Sequence, residues 1–192
     1  NALAGLVNMI SNNPTENFYS EITGLISEYG GRNIGAIISG SSDNNFGYRI
    51  GINSSKSNGY VDNIYLNKNN TNNLDETIAK AKFTKNVNNI NLTLNIFNAD
   101  IDNGYDAFSL DNTRVTYSDK PGHDRQKTSA VSLKIEKTLK NNSRIETLVS
   151  YAKSDLEYAY DEDWSNIGIC NDSPCAFSLH GFDWWYSSFD SF

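Results

Sequence analysis

Apolar and polar residues alternate along this chain in short stretches, and the connections between those stretches alternate tight and long. In Phe46-Gly47-Tyr48-Arg49-Ile50-Gly51-Ile52-Asn53, residues Phe46, Tyr48, Ile50 and Ile52 share one face and Arg49 and Asn53 the other. A period of two is that of a strand, whose successive side chains point to opposite faces. The pattern returns at Ile90-Asn91-Leu92-Thr93-Leu94-Asn95-Ile96 and at Val131-Ser132-Leu133-Lys134-Ile135-Glu136. A soluble sandwich can carry such strands. Turns on one side and long loops on the other, however, are the layout of an up-and-down barrel standing in a membrane.

Length and composition bound this reading. The chain has 192 residues, enough for one domain or a large piece of one. Hydrophobic residues make up 38% and mean hydropathy is -0.54. No apolar run approaches the ~20 residues of a spanning helix, so a helical membrane protein is excluded. A transmembrane barrel is not, because only every second residue of its strands has to be apolar. The net charge of -7 lacks the basic footprint of nucleic-acid binding, and no nucleic-acid partner is expected. Aromatics, led by Tyr, reach 12% and suit a water–lipid boundary.

The alternation predicts an all-β, antiparallel fold of about seven strands. They run at about Phe18 to Tyr29, Asn33 to Ser41, Phe46 to Lys56, Leu74 to Lys85, Ile90 to Ala99, Lys127 to Thr138 and Ser143 to Tyr160. Gly30-Gly31, Ser42 to Asn45, Asn86 to Asn89 and Leu139 to Asn142 are tight turns, rich in residues that tolerate left-handed backbone. Ser57 to Asn73 and Asp100 to Gln126 are long connections, and Asp161 to Phe192 reads as loop. Seven strands cannot close an even-numbered barrel, so an incomplete one is expected. With the apolar face toward lipid, the lumen receives Arg49, Asn53, Lys80, Lys82, Asn91, Thr93, Lys134 and Glu136. In a soluble sheet the same charges would simply be solvated. The strands reach the ~10 residues of a tilted bilayer crossing and exceed the usual 5 or 6.

Ala2-Leu3-Ala4-Gly5-Leu6-Val7-Asn8-Met9-Ile10, closed by Pro14, resembles the last plug strand of the TonB-dependent outer-membrane receptors, which usually reads Ala-x-Gly-Gly-x-Ile-Asn-Ile before a Thr-Lys-Lys-Pro-like junction. Gly5, Asn8 and Pro14 stand where the family has Gly, Asn and the junction Pro; Ala4 replaces one Gly, and Asn12 and Asn13 the lysines. The short first hairpin and the aromatic, acidic stretch Asp102-Asn103-Gly104-Tyr105-Asp106 also resemble the family's early barrel. The resemblance implies residues 1–13 as the C-terminal end of a plug and 14–192 as the N-terminal part of a 22-stranded transmembrane barrel. It further implies a bacterial outer-membrane location and uptake of a scarce nutrient. A ferric siderophore is the commonest cargo, with cobalamin or oligosaccharide behind it, and TonB would act through a region upstream of Asn1.

Cys170-Asn171-Asp172-Ser173-Pro174-Cys175 suits a local disulfide between Cys170 and Cys175 in an oxidising compartment. A zinc site there would lack ligands. The stretch Asp100 to Asp106 is one residue short of a calcium loop and has no Glu at its twelfth position, so it reads as a solvated acidic loop and no metal is expected. Tyr105, Asp106, Trp184, Trp185 and Tyr186 are candidates for an extracellular ligand loop; the aromatic run around Trp184 also fits an interfacial belt or the start of a strand. His123 and His180 stand in different loops without a nucleophile elbow or phosphate loop, so neither catalysis nor a cofactor is expected. Two rivals to the receptor reading remain: a small outer-membrane barrel with a structural or adhesive role, and a soluble extracellular β-sandwich with binding loops.

Overall fold

The computed structural model describes residues 10–109, 112–140, 143–166, 169 and, as backbone, 185–191. Among the described residues ten strands occur: β1 (Tyr19–Ser27), β2 (Gly31–Ser42), β3 (Phe46–Ser57), β4 (Asp62–Asn63), β5 (Leu74–Val87), β6 (Ile90–Tyr105), β7 (Val115–Thr116), β8 (Gly122–Thr138), β9 (Arg144–Tyr160) and β10 (Trp185–Ser191). One sheet has the order β1-β2-β3-β5-β6-β8-β9-β10, so its eight members follow one another in chain order. Every pairing in it is antiparallel. The seven long strands are those the alternation predicts. The sheet is open: among the described residues no strand pairs with the outer edge of β1 or of β10.

Two sequence expectations need correction. Asp100 to Gln126 is not all loop, because β6 continues to Tyr105 and β8 begins at Gly122. The charges that suggested a loop pair across the two strands instead, with Arg125 Nε 2.6 Å from Asp102 Oδ1. Asp161 to Phe192 is likewise not all loop, since Trp185–Ser191 pairs with Ser154–Tyr160 of β9.

Turn chemistry explains the short connections. Asn88 and Asn89 both have positive φ (50° and 63°), as a two-residue hairpin between β5 and β6 requires. Tyr29 and Gly30, also at positive φ (59° and 66°), complete the three-residue connection between β1 and β2. Asn is the side chain that best tolerates this region after Gly, and it supplies Asn45, Asn67 and Asn112 as well. Its abundance in the chain thus has a conformational use.

Register aligns the strands' apolar positions into one band. Ile22 faces Ala36, which faces Ile52, and Ile38 faces Ile50, which faces Ala81. The row continues through Ile96, Val131 and Tyr151, with Leu94, Leu133 and Val149 beside it. On β5, β6 and β8 charges on this face stand only at its margins, while on β9 Lys153 stands two residues from Tyr151. Asp75 and Lys85 on β5, and Lys127 and Lys137 on β8, each bracket the ~10 residues of a tilted crossing. No second layer covers the band among the described residues: Ile22 is 83% exposed, Val149 64% and Tyr151 62%.

Candidate functional site

Between the band's margins, the face opposite it carries Arg49, Lys80, Lys82, Lys134 and Glu136. Arg49 lies across from Lys82, Thr93 across from Lys134 and Asn91 across from Glu136. Lys80 and Asn53 occupy the same face, opposite Gly51 and Ile78. All eight residues that the alternation assigned to one side therefore share it. They form local contacts: Lys134 Nζ lies 3.1 Å from Glu136 Oε1 and 3.4 Å from Glu146 Oε2. Lys80 Nζ sits 5.6 Å from the Phe97 ring centroid, and Asn53 Nδ2 donates to Ser55 Oγ at 3.1 Å. Ile37, Ile78 and Phe97 interrupt the polar surface.

At the tight-turn end, the segment entering β1 lies across this charged face. Ser39, fully buried, accepts from Thr15 N at 2.9 Å, and Ser41 Oγ donates to Thr15 O at 2.8 Å. Lys82 Nζ donates to Ser11 O at 2.6 Å and Asn13 Oδ1 at 3.3 Å. Pro14 packs over Gly47, where an added Cβ would sit 2.8 Å from the proline Cβ.

At the other end, the long connections build a cap. The two-residue strands β4 and β7 pair in parallel and tie residues 58–73 to residues 106–121. Asn63, 1% exposed, is the hub: its Nδ2 donates to Asp106 Oδ2 (2.9 Å) and Ser118 O (2.8 Å), while its Oδ1 accepts from Leu66 N (2.9 Å). Thr116 Oγ1 also donates to Asp106 Oδ2 (2.8 Å). The Asp106 carboxylate thus turns inward and organises the loops. Tyr105 contributes to an aromatic cluster: its ring meets Tyr158 edge-on at 5.0 Å, and Phe108 stacks on Trp164 at 4.8 Å. Trp185 and Tyr186 open β10, and Trp184, Cys170 and Cys175 lie outside the described residues, as do residues 1–9.

Asp161 closes the cap from the C-terminal side, accepting from Ser118 Oγ at 2.6 Å and, at its other oxygen, from Asp163 N and Trp164 N. Burial pushes its carboxyl up to about 6, against the Ser118 hydrogen bond, which lowers it. An unfolded Asp titrates near ~3.9. The folded state therefore holds the proton more tightly, so the cap gains stability as pH falls through 6 and keeps that gain below the unfolded value. Carboxyl-carbon NMR should give Asp161 a midpoint near 6, moving higher in Ser118→Ala. A midpoint near that of free Asp would contradict the burial.

Beside the cap, the band's face carries an open groove of about 810 Å³ lined by Asp75, Asp100, Asp102, Arg125, Asp155 and Glu157 among others. Its ion pairs are solvent-exposed and contribute little. Among the described residues no three His, Cys, Asp or Glu gather as a metal site. The hub residues Asn63, Thr116, Ser118 and Asp161 carry no sequence signature. Single Asn, Thr and Ser residues in loops look alike until the fold brings them together. No protein-family model, characterised protein or solved structure matches this chain.

Proposed function

We propose that the chain forms part of an outer-membrane β-barrel of the TonB-dependent receptor class, which takes up a scarce nutrient, foremost a ferric siderophore and otherwise cobalamin or an oligosaccharide. The observation that carries the reading is the apolar band, uncharged over about the depth of a bilayer crossing on β5, β6 and β8 and continued by apolar positions on the neighbouring strands, with Lys153 entering it on β9. Fully burying each Ile, Leu or Val is worth roughly 1.5–3 kcal/mol, so a band this broad requires a cover. Lipid supplies one without a second protein layer, and the charged face becomes the lumen lining.

The two ends of the sheet support the same orientation. The connections after β2, β5 and β8 and the segment preceding β1 share one end, as expected of the periplasmic side where a plug hands over to the barrel, while the β1–β2 turn at Tyr29-Gly30 stands at the other end beside Asn58 and Arg114. The cap with its aromatic cluster stands at that other end, where incoming cargo would first be met. Lacking an ion gradient of its own, the outer membrane would draw the energy for transport through TonB. The open edges of β1 and β10 need partners, because unpaired edges invite aggregation.

One observation favours the small-barrel rival: β10 provides the eighth strand that such a barrel requires. Cells carrying the intact protein under iron limitation separate the two readings. Uptake of labelled ferric siderophore that is lost on deleting either this protein or TonB supports the receptor. Unchanged uptake, together with disulfide formation between cysteines placed on β1 and β10, supports the eight-stranded barrel.

A further inference from the structure

The strongest unassigned feature is the seat under residues 11–15, to which β2, β3 and β5 all contribute. Lys82 is only 8% exposed, and its register partner on β3 is another cation, Arg49. Among the described residues no carboxylate pairs with it; its ammonium donates to Ser11 O and Asn13 Oδ1. A nearly buried cation must have such acceptors, because leaving it bare costs its full desolvation. Lys82 and the segment are therefore mutually dependent. Ser39 and Ser41 fix Thr15 from β2, and the missing side chain at Gly47 makes the room that Pro14 fills.

We infer that Lys82, Ser39, Ser41 and Gly47 form a fixed anchorage that holds residues 11–15 against the charged face. The anchorage stands whichever way the sheet closes, so it can fail without the receptor reading failing. It predicts a rigid joint at this point, in contrast to a strap that lifts.

Amide hydrogen exchange on the full chain in detergent micelles tests it at Thr15, whose N–H is bonded to Ser39. Thr15 should be protected in the unaltered protein. Lys82→Met should lower that protection by about tenfold or more, while Ile37 and Ile50 in the neighbouring strands keep theirs. Lys82→Arg should retain it. Gly47→Ala, whose added methyl meets Pro14 (2.8 Å) and the Thr84 hydroxyl (2.5 Å) rather than Lys82, should reproduce the loss and, with Ile37 and Ile50 still protected, decides the matter if Lys82→Met disturbs the strands. Free exchange at Thr15 in the unaltered protein, or equal protection in both disruptive variants, overturns the anchorage.

Discussion

Replacing Leu94 with Arg is expected to weaken membrane assembly by about 2–4 kcal/mol, the cost of a cation on the lipid face at mid-membrane. Leu94 sits in the centre of the band, between Phe83 and Leu133 in register. Leu92→Arg, nearer the turn end, should be costly too, because it lies between Lys85 and Ile135 on the same face. Thr93→Arg is the control. One residue away, it points to the charged face beside Lys134, where a guanidinium meets water and the neighbouring Glu136. Folding into vesicles, followed by the electrophoretic shift between heated and unheated samples, reads the difference. Equal tolerance at all three positions would mean that the two faces are wrongly assigned.

The second large effect belongs to the cap. Asp106→Ala removes the acceptor for two donors, Asn63 Nδ2 and Thr116 Oγ1, each on a residue 1% exposed. A buried donor left without a partner costs about 1–3 kcal/mol, so the pair together is worth about 3 kcal/mol or more. The loss should be local. Asp62 N and Ile64 N, bonded to Arg114 O and Thr116 O across the two loops, should lose about 100-fold in exchange protection. The band strands β5 and β6 should hold theirs. Asp106→Asn keeps an accepting oxygen and should lose less.

Much of the sheet was legible because strand pairing imposes a period of two on the sequence. Phe46 to Asn53 shows it without interruption, and the turn at Asn88-Asn89 announces itself by residue type. Where both faces turn polar the signal vanishes. Beyond Ala99, β6 runs through Asp100, Asp102 and Asn103 above the band, and there a water-exposed strand and a loop have the same composition. The β10 strand was hidden for the same reason, Ser188 and Asp190 breaking its alternation.

The site was legible only in part. A shared face follows from parity alone, which is why Arg49, Lys82 and Lys134 could be grouped before any contact was known. The hub could not be read this way, because Asn63 and Asp106 meet across 43 residues through loops that carry no periodicity. Asp106 drew notice as an exposed acid in an aromatic stretch. The fold turns it inward instead, since Asn63 and Thr116 need an acceptor in a buried place.

The most direct test of the lipid-facing band is a cysteine scan along β6 and β8 of the protein in vesicles. A fluorophore at successive positions from Leu92 to Ile96 and from Val131 to Ile135 would be challenged with lipid-borne and water-borne quenchers. The expected result is strict alternation: Leu92, Leu94, Ile96, Val131, Leu133 and Ile135 quenched from the lipid, with Thr93, Asn95, Ser132 and Lys134 quenched from water or not at all. Lipid quenching without alternation, or water quenching on both faces, would contradict a sheet that stands in a membrane.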